Sequence, residues 1–285
     1  MRAAKRGLLA VGVALTPMAA AAATPDVHII EAAEVVPGHP GVTYLSLIKQ
    51  AVPNLAETGA DHEIQGHLDK GPRHLAGKSD EGDPPDPLVL GFIDDQRIKA
   101  GGKPRIVLMA DLGPDPDRAQ SMTLLLLFDD APTPTLLDVV DVGVDKDTSF
   151  DEQPKLPLGP GDDALITYSE HFNSEQTYSG RLLAFVRHDR FQLIDDVFTL
   201  SDKGCGWNRQ ETPRFTTRPG LPYPAIEVVV SEQLERTDED CSDEAVPKPY
   251  ARRYESVYRW DSRKGAWIAA PDGLSRLGAL NGKRF

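Results

Sequence analysis

The chain has 285 residues, 44 of them acidic and 31 basic, and a formal net charge of −13 at pH 7. A surface this acidic repels nucleic-acid phosphates and anionic lipid headgroups, so neither is expected as a partner. Hydrophobic residues make up 40% of the chain, enough apolar side chain for one large all-β domain or two smaller ones.

Residues 1–23 read as a secretory signal peptide. Arg2, Lys5 and Arg6 supply a positive start, and Leu8–Leu15 is an apolar stretch too short to span a bilayer. The alanines ending at Ala23 offer a small-residue cleavage site. Cysteine is absent beside that site and the arginines are not consecutive, so general export is expected rather than a lipoprotein or twin-arginine route. Cleavage would remove three positive charges and leave about −16 on a periplasmic or secreted chain with no stable membrane insertion.

Residues 24–86 form the next unit. Tyr44, Leu45, Leu47, Ile48, Ala51, Val52 and Leu55 follow the three-four spacing of one amphipathic helix, which Pro53 ends or kinks. Residues 57–86 are acidic and His-rich, without periodicity, and predict mostly irregular backbone. Within them "DHEIQGH" (Asp61–His67) has the look of a zinc-protease motif. His62 and His67 are five residues apart, however. On a helix that places them about 140° from each other, against about 40° for a four-residue spacing. On a strand they would fall on opposite faces. His62, His67 and His74 are therefore not expected to converge, and no metal site or cofactor is assigned.

From residue 87 to 285 the texture is that of strands. Three apolar runs, 104–111, 163–171 and 224–232, are each followed by a second run, at 122–130, 180–189 and 254–261. Third runs follow at "TLLDVVDVGVDK", "QLIDDVFTLSDK" and "GAWIAA". In the first two of these, Leu136, Leu137, Asp138 and Val140 align with Leu193, Ile194, Asp195 and Val197. A repeat near sixty residues points to one supersecondary unit used three times, an antiparallel meander of three or four strands. The fold expected is all-β, propeller-like or a sandwich, with one helix after the signal peptide. In style the pattern resembles the blades of integrin-type β-propellers. That resemblance implies stacked four-stranded blades, but the chain lacks the "DxDxDG" loop and shows three units, so no functional residue is carried over.

Candidate chemistry is sparse. "QTYSGR" around Ser179 has Thr177 where a nucleophile elbow needs glycine. His171 and His188 lie near predicted strand ends without an identifiable partner. Asp141, Asp145 and Asp147 are spaced poorly for a calcium loop, and the abundant carboxylates single out no glycosidase pair. Trp207, in "GCGWNRQ", is read as packing beside a disulfide, with a sugar- or peptide-contacting corner as the alternative. The two cysteines, Cys205 and Cys241, are expected to be bridged outside the cytoplasm. Catalytic residues stay unassigned. The function expected is a non-enzymatic envelope or secreted module that binds a protein or glycan, or serves a structural role. The alternative is an envelope hydrolase of glycans or peptides, with carboxylates and histidines gathered from distant loops.

Overall fold

A computed structural model describes residues 29–59, 62–77, 84–114, 121–145, 147–239, 241 and 246–284. The expected signal peptide lies outside them. Among the described residues the protein is mostly antiparallel strand, in three sheets, none of which closes on itself.

Near the start, Thr43 caps α1 (Tyr44–Ile48), and its side chain accepts from the Ser46 amide while Ser46 reciprocates. The helix is one turn long, shorter than the apolar spacing predicted, and the chain continues in turns to Leu55. A three-stranded sheet follows: β1 (Ala56–Thr58), β2 (Glu63–Gly66) and β3 (Leu88–Val89). The described part of residues 57–86 is mostly irregular, as expected, with one short hairpin as the exception. Ala56–Thr58 pairs with Glu63–Gln65, so the "DHEIQGH" stretch enters a hairpin strand. Gly66 belongs there because an added Cβ would lie 2.9 Å from both Asn54 and Leu55 side-chain atoms.

Three four-stranded meanders come next. The first is β4 (Ile93–Ala100), β5 (Lys103–Pro114), β6 (Ser121–Asp129) and β7 (Leu136–Asp141), a sheet of its own. The second is β8 (Asp147–Pro157), β9 (Asp163–Phe172), β10 (Gln176–Arg187) and β11 (Arg190–Gly204). The third is β12 (Trp207–Arg218), β13 (Ala225–Arg236), β14 (Tyr250–Asp261) and β15 (Ala266–Ala269). Pairing between β11 and β12 is confined to Asp202–Gly204 against Trp207–Arg209. Beyond that short ladder the two halves of the eight-stranded sheet meet through side chains, Ile166, Leu183 and Phe185 of one sharing an apolar cluster with Ile226, Val228 and Val230 of the other. A second helix, α2 (Gly273–Arg284), closes the described chain. The sequence reading expected one helix. The α2 segment holds three glycines and a short apolar stripe, which hid it.

The strand period explains how the layers assemble. Along β6, Leu124, Leu126 and Phe128 enter one apolar cluster with α1, while Leu125 and Leu127 enter a second. Along β10, Leu182, Ala184 and Val186 join that second cluster, and Leu183 and Phe185 join a third. The third cluster is completed by Ile226, Val228 and Val230 of β13 and Leu277 of α2. Central strands are thus apolar on both faces, which is why they read as continuous runs.

The aligned third runs share a detail of register. Between β6 and β7, Leu127 faces Asp138 and Phe128 faces Leu136, leaving Leu137 as the extra residue of a bulge. Between β10 and β11, Leu183 faces Asp195 and Ala184 faces Leu193, leaving Ile194 extra. Leu136 packs on the first cluster and Leu193 on the second, each partly rather than fully buried. Asp138 accepts from the Phe191 amide of the next meander, 2.8 Å away, and from Arg73 at 2.7 Å. Asp195 accepts the Tyr258 hydroxyl, also from the next meander. Both aspartates tie their own meander to its successor.

Candidate functional site

The histidines of the His-rich segment do not meet. His62 pairs with Glu57. His67 sits between Asp69, at 3.1 Å, and Asp86, at 3.2 Å, and these bonds raise its pKa in spite of its exposure. The His74 Nε2–H donates to the Gly143 carbonyl at 3.1 Å, while Nδ1 accepts from the Ala76 amide. The three rings serve three separate local structures.

The calcium-type reading of Asp141, Asp145 and Asp147 also dissolves. Asp141 Oδ1 accepts the Gly143 amide at 2.9 Å and the Thr123 amide at 3.3 Å, and burial pushes its pKa up. Gly143 has no room for a Cβ, which would lie 2.0 Å from the Ser121 carbonyl oxygen. This aspartate is a turn-former.

Asp145 does something else. Its carboxylate, 6% exposed, lies 2.9 Å from His171 Nδ1, while the Tyr178 hydroxyl donates to it at 2.9 Å. The His171 ring stacks on Tyr178 with centroids 5.0 Å apart. Burial first, then the bond to Asp145, pushes the Tyr178 pKa up to about 12. The partner that sequence reasoning could not find for His171 is thus a buried carboxylate contributed by the turn before β8. Such a pair fixes the imidazole and leaves Nε2 to exchange a proton. Ser121 and Thr123 are buried and bonded to each other, and Ser121 also donates to the Asp145 carbonyl. Neither is presented as a nucleophile.

A third constellation is wholly internal. Glu211 of β12 accepts from the Leu200 amide, Asn281 and Arg284, and Glu232 of β13 accepts from Tyr250, Tyr254 and Arg284. Both glutamate side chains are closed to solvent. This network pins α2 to the sheet and offers no approach for a substrate.

The fourth is aromatic. Phe185 of β10, Tyr223 before β13, Trp260 of β14 and Trp267 of β15 meet with ring centroids 5.4–6.5 Å apart, mostly edge to face. Phe185 and Trp267 are buried, whereas Tyr223 and Trp260 keep part of their rings in solvent. Arg187 lies 5.0 Å over the Trp260 ring and donates to the Gly265 carbonyl at 3.1 Å. The Trp267 indole Nε1, in a residue 8% exposed, finds no acceptor among the described residues. On the same turn as Tyr223, Leu221 is 97% exposed. Asp162 and Arg187 act on the Tyr223 hydroxyl with opposite sign, after burial as the main influence raising its pKa. Sequence reasoning missed this corner because its rings come from positions 185, 223, 260 and 267; the aromatic it weighed was Trp207, which it read as packing beside the disulfide.

Trp207 packs against backbone. A Cβ added at Gly204 would lie 2.5 Å from its Nε1. Cys205 and Cys241 are disulfide-bonded beside it, with Cα atoms 5.8 Å apart. No helix among the described residues is long and apolar enough to cross a membrane. Compared with protein-family models, curated proteins and solved structures, the chain matches none.

Proposed function

We propose that this chain is an extracytoplasmic binding module whose work is recognition rather than catalysis. Export is supported by the positive, apolar and small-residue order of residues 1–23 and by the Cys205–Cys241 bridge, a bond that persists outside the reducing cytoplasm. The matched bulges at Leu137 and Ile194, each followed by an aspartate reaching into the next meander, support descent of the meanders from one repeated unit. In such an architecture the stacked sheets are scaffold, and ligands meet the loops at their ends.

The observation that carries the reading is the aromatic corner. Two buried rings hold two half-exposed ones in fixed edge-to-face contact, beside a cation and an exposed leucine. Rigid aromatic side chains supply contact area at low entropic cost. The partner is an envelope protein or glycan. Co-sedimentation of purified mature protein with an envelope fraction tests this. Binding should be lost in Tyr223→Ala and Trp260→Ala, and variants that sediment like the wild type would overturn the reading.

One observation favours hydrolysis as a second reading. His171 is oriented by a buried carboxylate in the way general bases are, and would act on a water supplied with the substrate. Turnover of an envelope glycan or peptide that disappears in His171→Ala would support it. Turnover indifferent to His171 would remove it.

A further inference from the structure

We propose that the outer edge of β15 is where two copies of this chain meet, antiparallel and centred on Ile268. The proposal goes beyond the binding reading and does not depend on it. β15 is the last strand of the eight-stranded sheet, with β14 on one side and no strand on the other. Ala270 and Val257 exchange backbone bonds in both directions, so the ladder phase turns the polar backbone groups of Ile268 and Ala266 toward β14. Trp267 and Ala269 then point their N–H and C=O groups outward, where they find no partner among the described residues. Ile268, Ala269 and Ala270 are exposed. The other outer strands of the two large sheets are blunted. β8 carries Asp147, Asp151, Glu152 and Lys155, contains Pro154, and breaks register between Phe150 and Lys155. β4 is charged along its length, and Asp163 takes the Lys99 amide at 2.8 Å. β7 is covered where Asp141 bonds to Arg73 and Leu75. Charges, bulges and covers of this kind keep edges from pairing with other chains. β15 reads Ala-Trp-Ile-Ala, without charge, proline or bulge, which leaves it open to pairing.

The edge complements itself. In an antiparallel pair, residues whose backbone groups point outward must face one another. About Ile268, Trp267 of each copy meets Ala269 of the other, and both residues gain partners inside the strand. Centred on Ala269, Trp267 would face Pro271, which has no N–H. Centred on Trp267, Ala269 would face Gly265, which sits in the turn at φ +62°. Charge selects the same register. It carries the β14–β15 turn, with Arg263 and Lys264, toward Asp272 of the other copy, and the two-fold axis repeats the contact at the far side. Asp272 is exposed, with Arg276 of its own helix 3.7 Å away. The two Ile268 side chains would meet on the face opposite Trp267, so the aromatic corner stays open.

Sedimentation of the purified mature protein tests this, at about 0.15 M salt so that repulsion between two acidic chains is screened. A monomer–dimer equilibrium is expected, with a dissociation constant of about 10⁻⁶ to 10⁻⁴ M. Ala269→Pro removes one outward donor and no bond to β14, and should weaken association at least about tenfold. Ile268→Lys and Ile268→Glu should each be monomeric, since like charges would face each other across the two-fold axis, and a mixture of the two should associate. Lys264→Glu should weaken the dimer, and Asp272→Lys added to it should restore it. Ile268 is 40% exposed, so its variants spare the core, and an unchanged circular dichroism spectrum checks the folding of each.

Monomers at every concentration would overturn the proposal. A dimer indifferent to Ala269→Pro and to Ile268→Lys would place the contact elsewhere and overturn it too, as would mixed Ile268 variants that stay apart or a charge swap that restores nothing. Wild-type monomers whose sedimentation with the envelope fraction is lost in Ala269→Pro would assign the edge to another protein, overturning the second copy. The dependence of envelope binding on Tyr223 and Trp260 is read separately, so either reading can fail without the other.

Discussion

Glu211 and Glu232 face each other directly across β12 and β13, both closed to solvent, and one guanidinium, that of Arg284, donates to both. Like charges opposed in a sheet repel, and in a dry interior the repulsion is not screened. The arrangement holds because the last turn of α2 delivers a cation, with Asn281 beside it.

Removing that cation should be expensive. Arg284→Ala leaves Glu211 with neutral donors alone and Glu232 with its tyrosines and the more distant Arg252, 4.0 Å away, and breaking a buried charge network by one partner costs about 3–5 kcal/mol. Urea unfolding of the variant should show this. Adding Glu211→Gln should restore part of the loss, since it removes one of the uncompensated charges. A variant as stable as wild type would mean that α2 is not held by this network.

The pair also predicts opposing pH dependences. Burial pushes Glu232 up, but the Tyr250 and Tyr254 hydroxyls and Arg284 outweigh it and hold the pKa below the ordinary glutamate range. Its stabilising contribution is therefore present above that range and lost as pH falls through the lowered value. Glu211 is raised, chiefly by burial. Its contribution is present below the ordinary range and lost as pH rises through the raised value. Thermal midpoints followed from about pH 3 to about pH 8 should show a shallower acid limb in Glu232→Gln and a shallower loss on the alkaline side of the glutamate range in Glu211→Gln. Identical profiles for both variants would contradict the assignment.

The disulfide closes a span of 36 residues. In the chain-entropy model a bridge of this size contributes roughly 3–4 kcal/mol. Cys205→Ala with Cys241→Ala should lower stability by about that amount. A thiol reagent should label neither cysteine in unreduced, denatured protein, and labelling of both would show the bridge to be absent.

Burial along the strands can be read by truncation. Leu136 and Leu193 are partly buried, so each change to alanine should cost about 1–2 kcal/mol. Leu126, fully buried between α1 and the first meander, should cost about 2–5 kcal/mol. Equal costs at all three positions would contradict the layered burial described above.

His171 and Asp145 should separate cleanly. Asp145→Ala removes a buried acceptor shared by His171 and Tyr178 and should cost about 1–3 kcal/mol. His171→Ala removes a half-exposed ring and should cost less. Unfolding curves of the two variants would test this. If Asp145→Ala costs no more than His171→Ala, the carboxylate is not the shared anchor of this pair.

The strands that sequence pattern overlooked share a cause. β4, β8 and β12 are the first strand of each meander, and all three are rich in charge. In β12 the inward positions include Arg209 and Glu211, which join buried ion pairs, so polar residues stand where an alternating pattern expects apolar ones. The β1–β2 hairpin was equally invisible, since it is three or four residues long and polar.

By itself the sequence determined the all-β class, the central strands, the start of α1 and the pairing of the only two cysteines. These follow from local periodicity, capping chemistry and counting, which involve neighbours close along the chain. It also determined that His62 and His67 do not form a helical zinc site, because their spacing is wrong in any regular backbone. Tertiary structure alone decided the rest. Asp145 reaches His171, Glu211 shares Arg284 with Glu232, and four aromatic rings from three strands and a loop meet at one corner. Each of these depends on strand register and on how the meanders stack, where a slip of one residue would turn every side chain to the opposite face.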